Sequence, residues 1–589
     1  MPENRTNDHS RAASAAGAIK RYVPITSWIP SYERTWLRPD IIAGLTLWGI
    51  LIPEAIAYAS MAGAPAQAGL YALLFSLPVF AILGTSRQLA VAATSSTSIM
   101  IAAVIAPIIA GDPGKFPAAM AALVVTVGVI LLVAGLLRLG FVASFMSEPV
   151  MTGFVFGLAI YIAVHQLPKV FGISKGSGNT LQQLMHVLTN LGNTNWVTFA
   201  VGACAIAILF ILHRYAPRIP GALVVLVLGI LVATAFSLAA MHDVSIVGEV
   251  SGGLPSFVLP KISAHQFLQL LSGAFGIALV GLAESLGAAR TFADKHDYDI
   301  SVNQEMIAMG AANLGAGFFG GLVVSGSMSS STVNDQAGAK TQASSIVAAA
   351  MGLVTVLVLM PLFKNLPEAV LGAIVIHAVT HLMKVKEMRR IYRLSPREFA
   401  RAMTALLGVI ILEILPGLLI AVVLSLLLLI WKASRPAGAI LGRVPGEPGA
   451  YSSLERHSEN ETVEGLTIFR FDGPLFFANA SLLRDRVNEI LKAVPAPRAV
   501  LIDMQATSVL DVSSVDMLRK IVADARGKGI EIMFCEVIDP VRKMFKRSGL
   551  LETVTESRIF RTTEEGVQSY LGTRGPASDA PDLPPPRSL

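Results

Sequence analysis

Charge and cysteine are both scarce in this chain. Of its 589 residues, 15% are charged and 53% are hydrophobic, too apolar a balance for an ordinary soluble enzyme. The two cysteines, Cys204 and Cys535, fall in two differently composed regions. That argues against a disulfide framework, and neither CxxC nor Cys/His zinc spacing occurs, so no bound metal is expected. A nucleotide-binding P-loop and a catalytic triad are missing too, and the chain does not read as an enzyme or as a holder of an organic cofactor. Residues 1–30 contain Arg5, Arg11, Lys20 and Arg21 but no apolar core followed by a small-residue cleavage site. This argues against a cleaved signal peptide and for a cytoplasmic N-terminal region, residues 1–38. The net charge of +6 invites nucleic acid as a partner. The basic residues cluster in loops beside apolar segments, however, so topology explains them and no nucleic acid is expected.

Long apolar runs are what the chain has in abundance. About 20 apolar residues span a bilayer as a helix, and such runs recur across a transmembrane domain of residues 39–433. Candidate segments begin near Ile41, Ala68, Leu89, Ala118, Pro149, Trp196, Gly221, Phe267, Asn303, Val323, Ser344, Leu366, Glu398 and Pro416, fourteen in all. An even number places both termini on one side. Loops on that side hold Arg87, Arg138, Arg214, Arg218, Arg290 and Lys295, and the loop "KVKEMRRIYRLSPREFAR" (384–401) is more basic still. The other side holds only Lys115, Lys169, Lys175, Lys261 and Lys364. The asymmetry predicts an integral protein of the plasma (inner) membrane, in contact with lipid, with cytoplasmic termini.

Two segments break the apolar pattern in the same way. "GTSRQLAVAATSSTSIMIAAVIAP" (84–107) and "GLVVSGSMSSSTVNDQAG" (321–338) each read as a short extended run, then small polar residues, then a helix. As the third and tenth of fourteen they occupy equivalent positions in two halves of seven. A paired interruption points to a transporter binding site near the bilayer midplane, because irregular backbone survives in a membrane only where protein or a water-lined cavity satisfies it. Two half-helices whose N-termini meet would each present free N–H groups and about half a positive charge. Such a site holds an anion without a basic side chain. The plainer reading is that small residues merely let helices pack closely.

The blocks "DIIAGLTLWGILIPEAIAYASMAG" (40–63), "GLYALLFSLPVFAILGTSRQLAV" (69–91), "FMSEPVMTGFVFGLAIYIAVHQLPKVFG" (145–172) and "AESLGAARTFADKHDYDISVNQEMIAMGAANLGAGFFGG" (283–321) resemble, in order, those of the sulfate permease (SulP) family of anion transporters. The resemblance implies a multi-pass α-helical membrane protein. Its 14 segments would form a 7+7 inverted repeat with core and gate domains, followed by a cytoplasmic α/β STAS domain, and the chain would form a homodimer. It places the anion between segments three and ten. The implied substrate-binding residues are Glu54, Tyr58, Thr94, Ser95, Ser327, Met328, Ser329 and Ser330, with Glu284 of segment eight beside them. Glu54 stands where many members carry Gln, and Ser330 where many carry Arg.

A lone carboxylate at the bilayer centre costs about 2.5–3.5 kcal/mol on insertion scales, so a membrane Glu is a functional-site candidate by default. Gly281, Gly287 and Ala288 give Glu284 a small-residue face that could pack on the broken segments. Two half-helix dipoles sum to about one positive charge, which ionised Glu54 and Glu284 would more than cancel. An oxyanion should therefore bind when at least one is protonated. This predicts proton-coupled symport of a small inorganic oxyanion, sulfate first, with Glu284 as the leading proton carrier and Glu54 second. Sodium- or proton-coupled carriage of bicarbonate or a dicarboxylate is the alternative, with a nucleobase carrier or a membrane sensor or scaffold signalling through the STAS domain as further readings. For sodium, some family members place a hydroxyl one turn beyond the acid, where this chain has Ala288. His165, His377 and His381 read as interfacial structural residues, and "FADKHDYDISVNQE" (292–305) as a solvated loop.

Residues 434–463 read as a linker. Beyond it, "LTIFRFDGPLFFAN" alternates like a strand, "SLLRDRVNEILKAV" is amphipathic, and "AVLIDM", "SVDMLRKIVADARGKG" and "IEIMFCEV" continue an α/β alternation. Residues 464–572 resemble the STAS domain, whose partner would be a cytoplasmic STAS-binding protein. In "LDVSSVDML", Val512 follows Asp511 where related domains carry a phosphorylatable Ser. Asp511, Ser513 and Ser514 are the regulatory candidates, with Ser513 and Asp516 also reading as a capping box. The tail 573–589 is Pro-rich and expected to be disordered.

Overall fold

Among the described residues, eight helices are long and apolar enough to cross a membrane by length and composition. The computed structural model describes residues 22–572 except 110–111, 142–146, 177, 217–218, 249–252, 261, 381 and 413. The tail 573–589, the N-terminal residues up to 21, and Arg218, Lys261 and His381 lie outside the described residues. The chain divides into two units, 1–426 and 427–589.

Short turns aside, the first unit runs α1 (Leu37–Ala62), α2 (Ala66–Leu83), β1 (Ala90–Ala92), α3 (Ser95–Ile109), α4 (Phe116–Leu136), α5 (Glu148–Phe171), α6 (Thr180–Thr189), α7 (Trp196–Tyr215), α8 (Gly221–Ala235), α9 (Ala264–His296), α10 (Val302–Phe318), β2 (Ser325–Ser327), α11 (Met328–Gln336), α12 (Ala343–Val354), α13 (Glu368–Thr380), α14 (Val385–Leu394), α15 (Pro396–Leu412) and into α16 (Ile414–Ser434). A helix, or a strand leading into one, stands at each of the fourteen expected segment positions. α6 and α14 are additional helices between them. The stretch 384–401 is thus helical for most of its length, because its charges recur at helical spacing.

Glycines set how closely these helices approach. A Cβ on Gly310 of α10 would lie 2.5 Å from the Leu132 nitrogen of α4, and one on Gly153 of α5 would lie 1.9 Å from the Ala402 oxygen of α15. These pairs are in backbone contact, as small residues permit in membranes. α1 packs on α2, α3, α11 and α12, and α10 on α2 and α4, while α5 packs on α7, α13 and α15. Two bundles result, and the broken segments lie in the first. The stretch 292–305 differs from the expected solvated loop. α9 continues to His296, and Lys295 and His296 both reach Asp335 at 2.5 Å. Lys295 and His296 are thus paired, while Asp294, Asp297 and Asp299 are exposed, as a solvated segment requires.

The second unit holds one six-stranded sheet in the order β4-β3-β5-β6-β7-β8. Its strands are β3 (Ala437–Arg443), β4 (Tyr451–Ser453), β5 (Leu466–Asp472), β6 (Ala499–Asp503), β7 (Glu531–Cys535) and β8 (Ile559–Phe560). β5 to β8 are parallel, and β3 is antiparallel to both neighbours. Helices α17 (Ala480–Ile490), α18 (Val512–Gly527), α19 (Asp539–Arg547) and α20 (Thr563–Gly572) accompany them. Residues of β6 are buried throughout, as a covered parallel strand requires. The expected linker 434–463 is corrected here, since it carries β3 and β4. Gly438 and Gly442 hide the alternation from the sequence, and a side chain on Gly442 would lie 2.6 Å from Leu454.

Candidate functional site

β1 and β2 pair antiparallel, Ala90 opposite Ser327 and Ala92 opposite Ser325. Each strand leads into a half-helix, α3 from Ser95 and α11 from Met328. The antiparallel pairing sends the two helices in opposite directions with their N-termini at the ribbon. Side chains satisfy the irregular backbone around it. Asn313 donates to the Val324 carbonyl at 2.9 Å and accepts from its N–H at 3.0 Å. Ser331 accepts from Ala90 N, Ser285 accepts from Gly326 N, and Ser76 donates to the Val91 carbonyl. Gln342 and Asn334 donate to the carbonyls of Leu89 and Gln88. A Cβ on Gly326 would lie 2.9 Å from the Ser285 Cα, so only glycine lets α9 come this near.

A carboxylate stands at each half-helix start. Ser96 Oγ donates to Glu284 Oε2 at 2.8 Å, and Ser330 Oγ donates to Glu54 Oε2 at 3.2 Å. Glu54 follows Pro53 within α1 and is buried, as is Tyr58 one turn on. The two positions that depart from the family pattern, an acid for an amide and a hydroxyl for a cation, are therefore in contact. Thr94 Oγ1 lies within 3.1 Å of the hydroxyls of Ser96, Thr97 and Ser325. Ser327 caps α11 by accepting from Ser330 N and also meets Ser329 Oγ.

Of the expected residues, Glu54, Tyr58, Thr94, Glu284 and Ser330 are brought to the ribbon, and Met328 and Ser329 are exposed beside it. Ser95 is buried, and its neighbour Ser96 makes the carboxylate contact instead. A Cβ on Gly281 would lie 3.2 Å from the Ser325 Cβ, whereas one on Gly287 would meet nothing within 4 Å. Gly287, Arg290, Thr291 and Asp294 are exposed along one face of α9 beyond Glu284, a polar stripe from the site to that helix end. At the far end of α1, Ser60 Oγ accepts from Lys169 Nζ at 2.5 Å, and Lys169 stands 3.7 Å from Glu368.

Among the described residues of the first unit, two buried acids were not among the sequence candidates. Asp40 accepts from Lys340 N, Thr341 N, Thr341 Oγ1 and Tyr32 Oη. Glu305 accepts from Thr85 N and Oγ1 at 2.6 Å each and from Ser86 N at 3.0 Å. Their signal was an acid in the first turn of an apolar helix. His165 and His377 do not join the site: His165 stacks on Tyr161, and His377 meets Phe210 and His213 edge-on.

In the second unit, the expected Ser513 cap is replaced by Asp511, which accepts from Ser514 N at 2.9 Å and Ser514 Oγ at 2.6 Å. The helix starts at Val512, two residues earlier than the Ser513/Asp516 spacing implied. Ser514 is buried and Ser513 exposed.

Residues 37–405 match the profile of the sulfate permease family, and residues 457–566 that of the STAS domain. A probable sulfate transporter of Mycobacterium tuberculosis is 34% identical over 540 residues, 92% of this chain and 96% of that protein. High affinity sulfate transporter 2 of Stylosanthes hamata is 29% identical, over 97% of this chain and 89% of its own. Murine SLC26A9, in its inward-facing state, has the same fold, with a TM-score of 0.88 at 24% identity over 94% of this chain and 95% of that one. The transmembrane domain of the cyanobacterium bicarbonate transporter BicA matches with a TM-score of 0.59 at 26% identity, over 66% of this chain and 98% of that one. From the helices, the broken pair and these matches together, the chain belongs to the sulfate permease family and carries a STAS domain.

Proposed function

We propose that this chain is a secondary active transporter of small inorganic oxyanions, sulfate first, that works as a proton symporter by alternating access. The observation that carries the reading is the pair of half-helix starts, each holding a carboxylate through a serine. About one unit of dipole charge faces two potential negative charges, and among the described residues no Lys or Arg contacts Glu54 or Glu284. One proton brings the local charge from about minus one to about zero and so removes the net repulsion of an oxyanion, and the proton then travels with it. Ser96 and Ser330 hold the two acids at the N–H groups the anion would use. Glu284, at the head of the polar stripe, has the more open route for a proton.

The stripe beyond Glu284 opens toward one end of α9, while Lys169 and Ser60 join the two bundles at the end of α1. One closed end and one open end support alternating access. The basic residues named above favour cytoplasmic termini in an inner membrane. The protein would act as a homodimer whose STAS domain meets a cytoplasmic partner.

The test is uptake of labelled sulfate, bicarbonate, succinate and uracil into proteoliposomes at two pH gradients, with and without sodium. Sulfate uptake should rise with an inward proton gradient, and Glu284→Gln should abolish that rise. Undiminished gradient-driven uptake by the variant sinks the assignment. Sodium coupling is the second reading, favoured by the hydroxyls of Thr94, Ser96 and Thr97 gathered around Glu284, which supply what Ala288 lacks. In that case uptake follows sodium and ignores the pH gradient.

A further inference from the structure

α14 plays no part in the transport reading. With its flanks it carries Lys384, Lys386, Arg389, Arg390, Arg393, Arg397 and Arg401 against Glu387 and Glu398. Its apolar face is covered by protein. Met388 and Ile391 are buried, and Met388 packs with Ala402 and Leu406 of α15 and with Phe156 of α5. The opposite face is not covered. Arg390 is held by Glu387 at 2.5 Å, with Glu148 at 3.9 Å. Among the described residues no acid pairs with Lys386, Arg389 or Arg393. Spacings of three and four put these three on one side of the helix. Together with Arg390, Val385 and Leu394 they line a groove of about 400 Å³. Every one of those residues comes from α14, so the groove lacks an opposite wall. Val385 and Leu394, at its ends, are 53% and 71% exposed.

We propose that this groove binds the phosphate of an anionic phospholipid, with Lys386, Arg389 and Arg393 as donors and Val385 and Leu394 against the acyl chains. Arginine pairs with phosphate oxygens through two parallel N–H bonds, and unpaired cations on an amphipathic helix beside membrane segments attract anionic headgroups. The two exposed apolar ends favour a lipid over a soluble polyanion, since a free phosphate leaves them in water. The helix links α13 to α15, so it is held where the bilayer surface meets the second bundle.

The test uses the full chain purified in detergent with equal phosphatidylglycerol and phosphatidylcholine, the bound lipid being counted by native mass spectrometry. Wild type should retain phosphatidylglycerol preferentially. Lys386→Gln/Arg389→Gln/Arg393→Gln should lower that retention at least tenfold, because each basic residue near an anionic surface contributes about a fivefold factor. The charge-preserving variant Lys386→Arg/Arg389→Lys/Arg393→Lys should keep most of it. Equal loss in Arg38→Gln/Arg138→Gln/Arg214→Gln, exposed cations elsewhere, would overturn the site. So would full displacement of the lipid by an equal concentration of glycerol phosphate, which would make the headgroup alone the ligand.

Discussion

The contact between Glu54 and Ser330 joins the two positions at which the family resemblance implies Gln and Arg. With a cation at 330 the pair would neutralise itself, whereas a hydroxyl leaves the carboxylate's charge to be cancelled by a proton. Glu54→Gln/Ser330→Arg should therefore still carry the anion but lose most of the pH-gradient stimulation, read as uptake with and without the gradient. Asp40 holds two backbone N–H groups and two hydroxyls. Asp40→Asn should cost about 1.5–3 kcal/mol, the range for hydrogen bonds to a charged group, seen as a lower melting temperature in detergent. In the STAS domain, burial by itself pushes the Asp511 carboxyl up, but the bonds from Ser514 Oγ, Ser514 N and Phe477 N outweigh it and hold the group below the usual range. A lowered folded value means the cap contributes stability above the unfolded Asp value of about 3.9 and loses it as pH falls through the lower folded one. Asp511→Asn should thus speed amide exchange in the first turn of α18 at pH 7. After correction for intrinsic rates, the difference should shrink as pH falls below about 3.9 and vanish only below the lower folded value. Glu284 stood out in the sequence as an acid in an apolar run, while Glu54 and Ser330 were singled out through the family resemblance. Asp40 and Glu305 were not legible, because their partners are backbone groups of loops 300 and 220 positions away.

At the scale of elements, close approach decides what each helix tolerates. A Cβ on Gly69 of α2 would meet the Ala55 oxygen at 2.0 Å, beside Glu54, while one on Gly287 would meet nothing within 4 Å. Gly69→Ala should separate α1 from α2 and lower both folded yield and uptake. Gly287→Ala should leave the yield unchanged, as size-exclusion profiles of the two would show. The strand–serine–helix grammar of the broken segments was readable from residue type alone. Their pairing, Val91 with Gly326, was not, because an antiparallel register between strands more than 200 residues apart leaves no local trace. β3 and β4 were missed for a related reason: two glycines interrupt the alternation of β3, and β4, at the sheet edge, has only three residues.

At the scale of the whole molecule, the two units can be followed separately. Burial pushes the Cys535 thiol up to about 12, and its side chain is fully buried. In a Cys204→Ser background, maleimide at pH 7.5 should leave Cys535 unlabelled until denaturant unfolds the sheet; rapid labelling of the native chain would contradict the packing of β7. By itself the sequence determined the membrane class, the order of segments, the two interrupted helices and the α/β character of the second unit. Each depends on local composition, since an apolar run of sufficient length has few other stable states. Only the tertiary structure decided which serine meets which carboxylate, which acids lock distant loops, and that the supposed linker completes a sheet. Those outcomes depend on the rotation and register of packed elements, where one residue's shift turns a side chain from the site to the core.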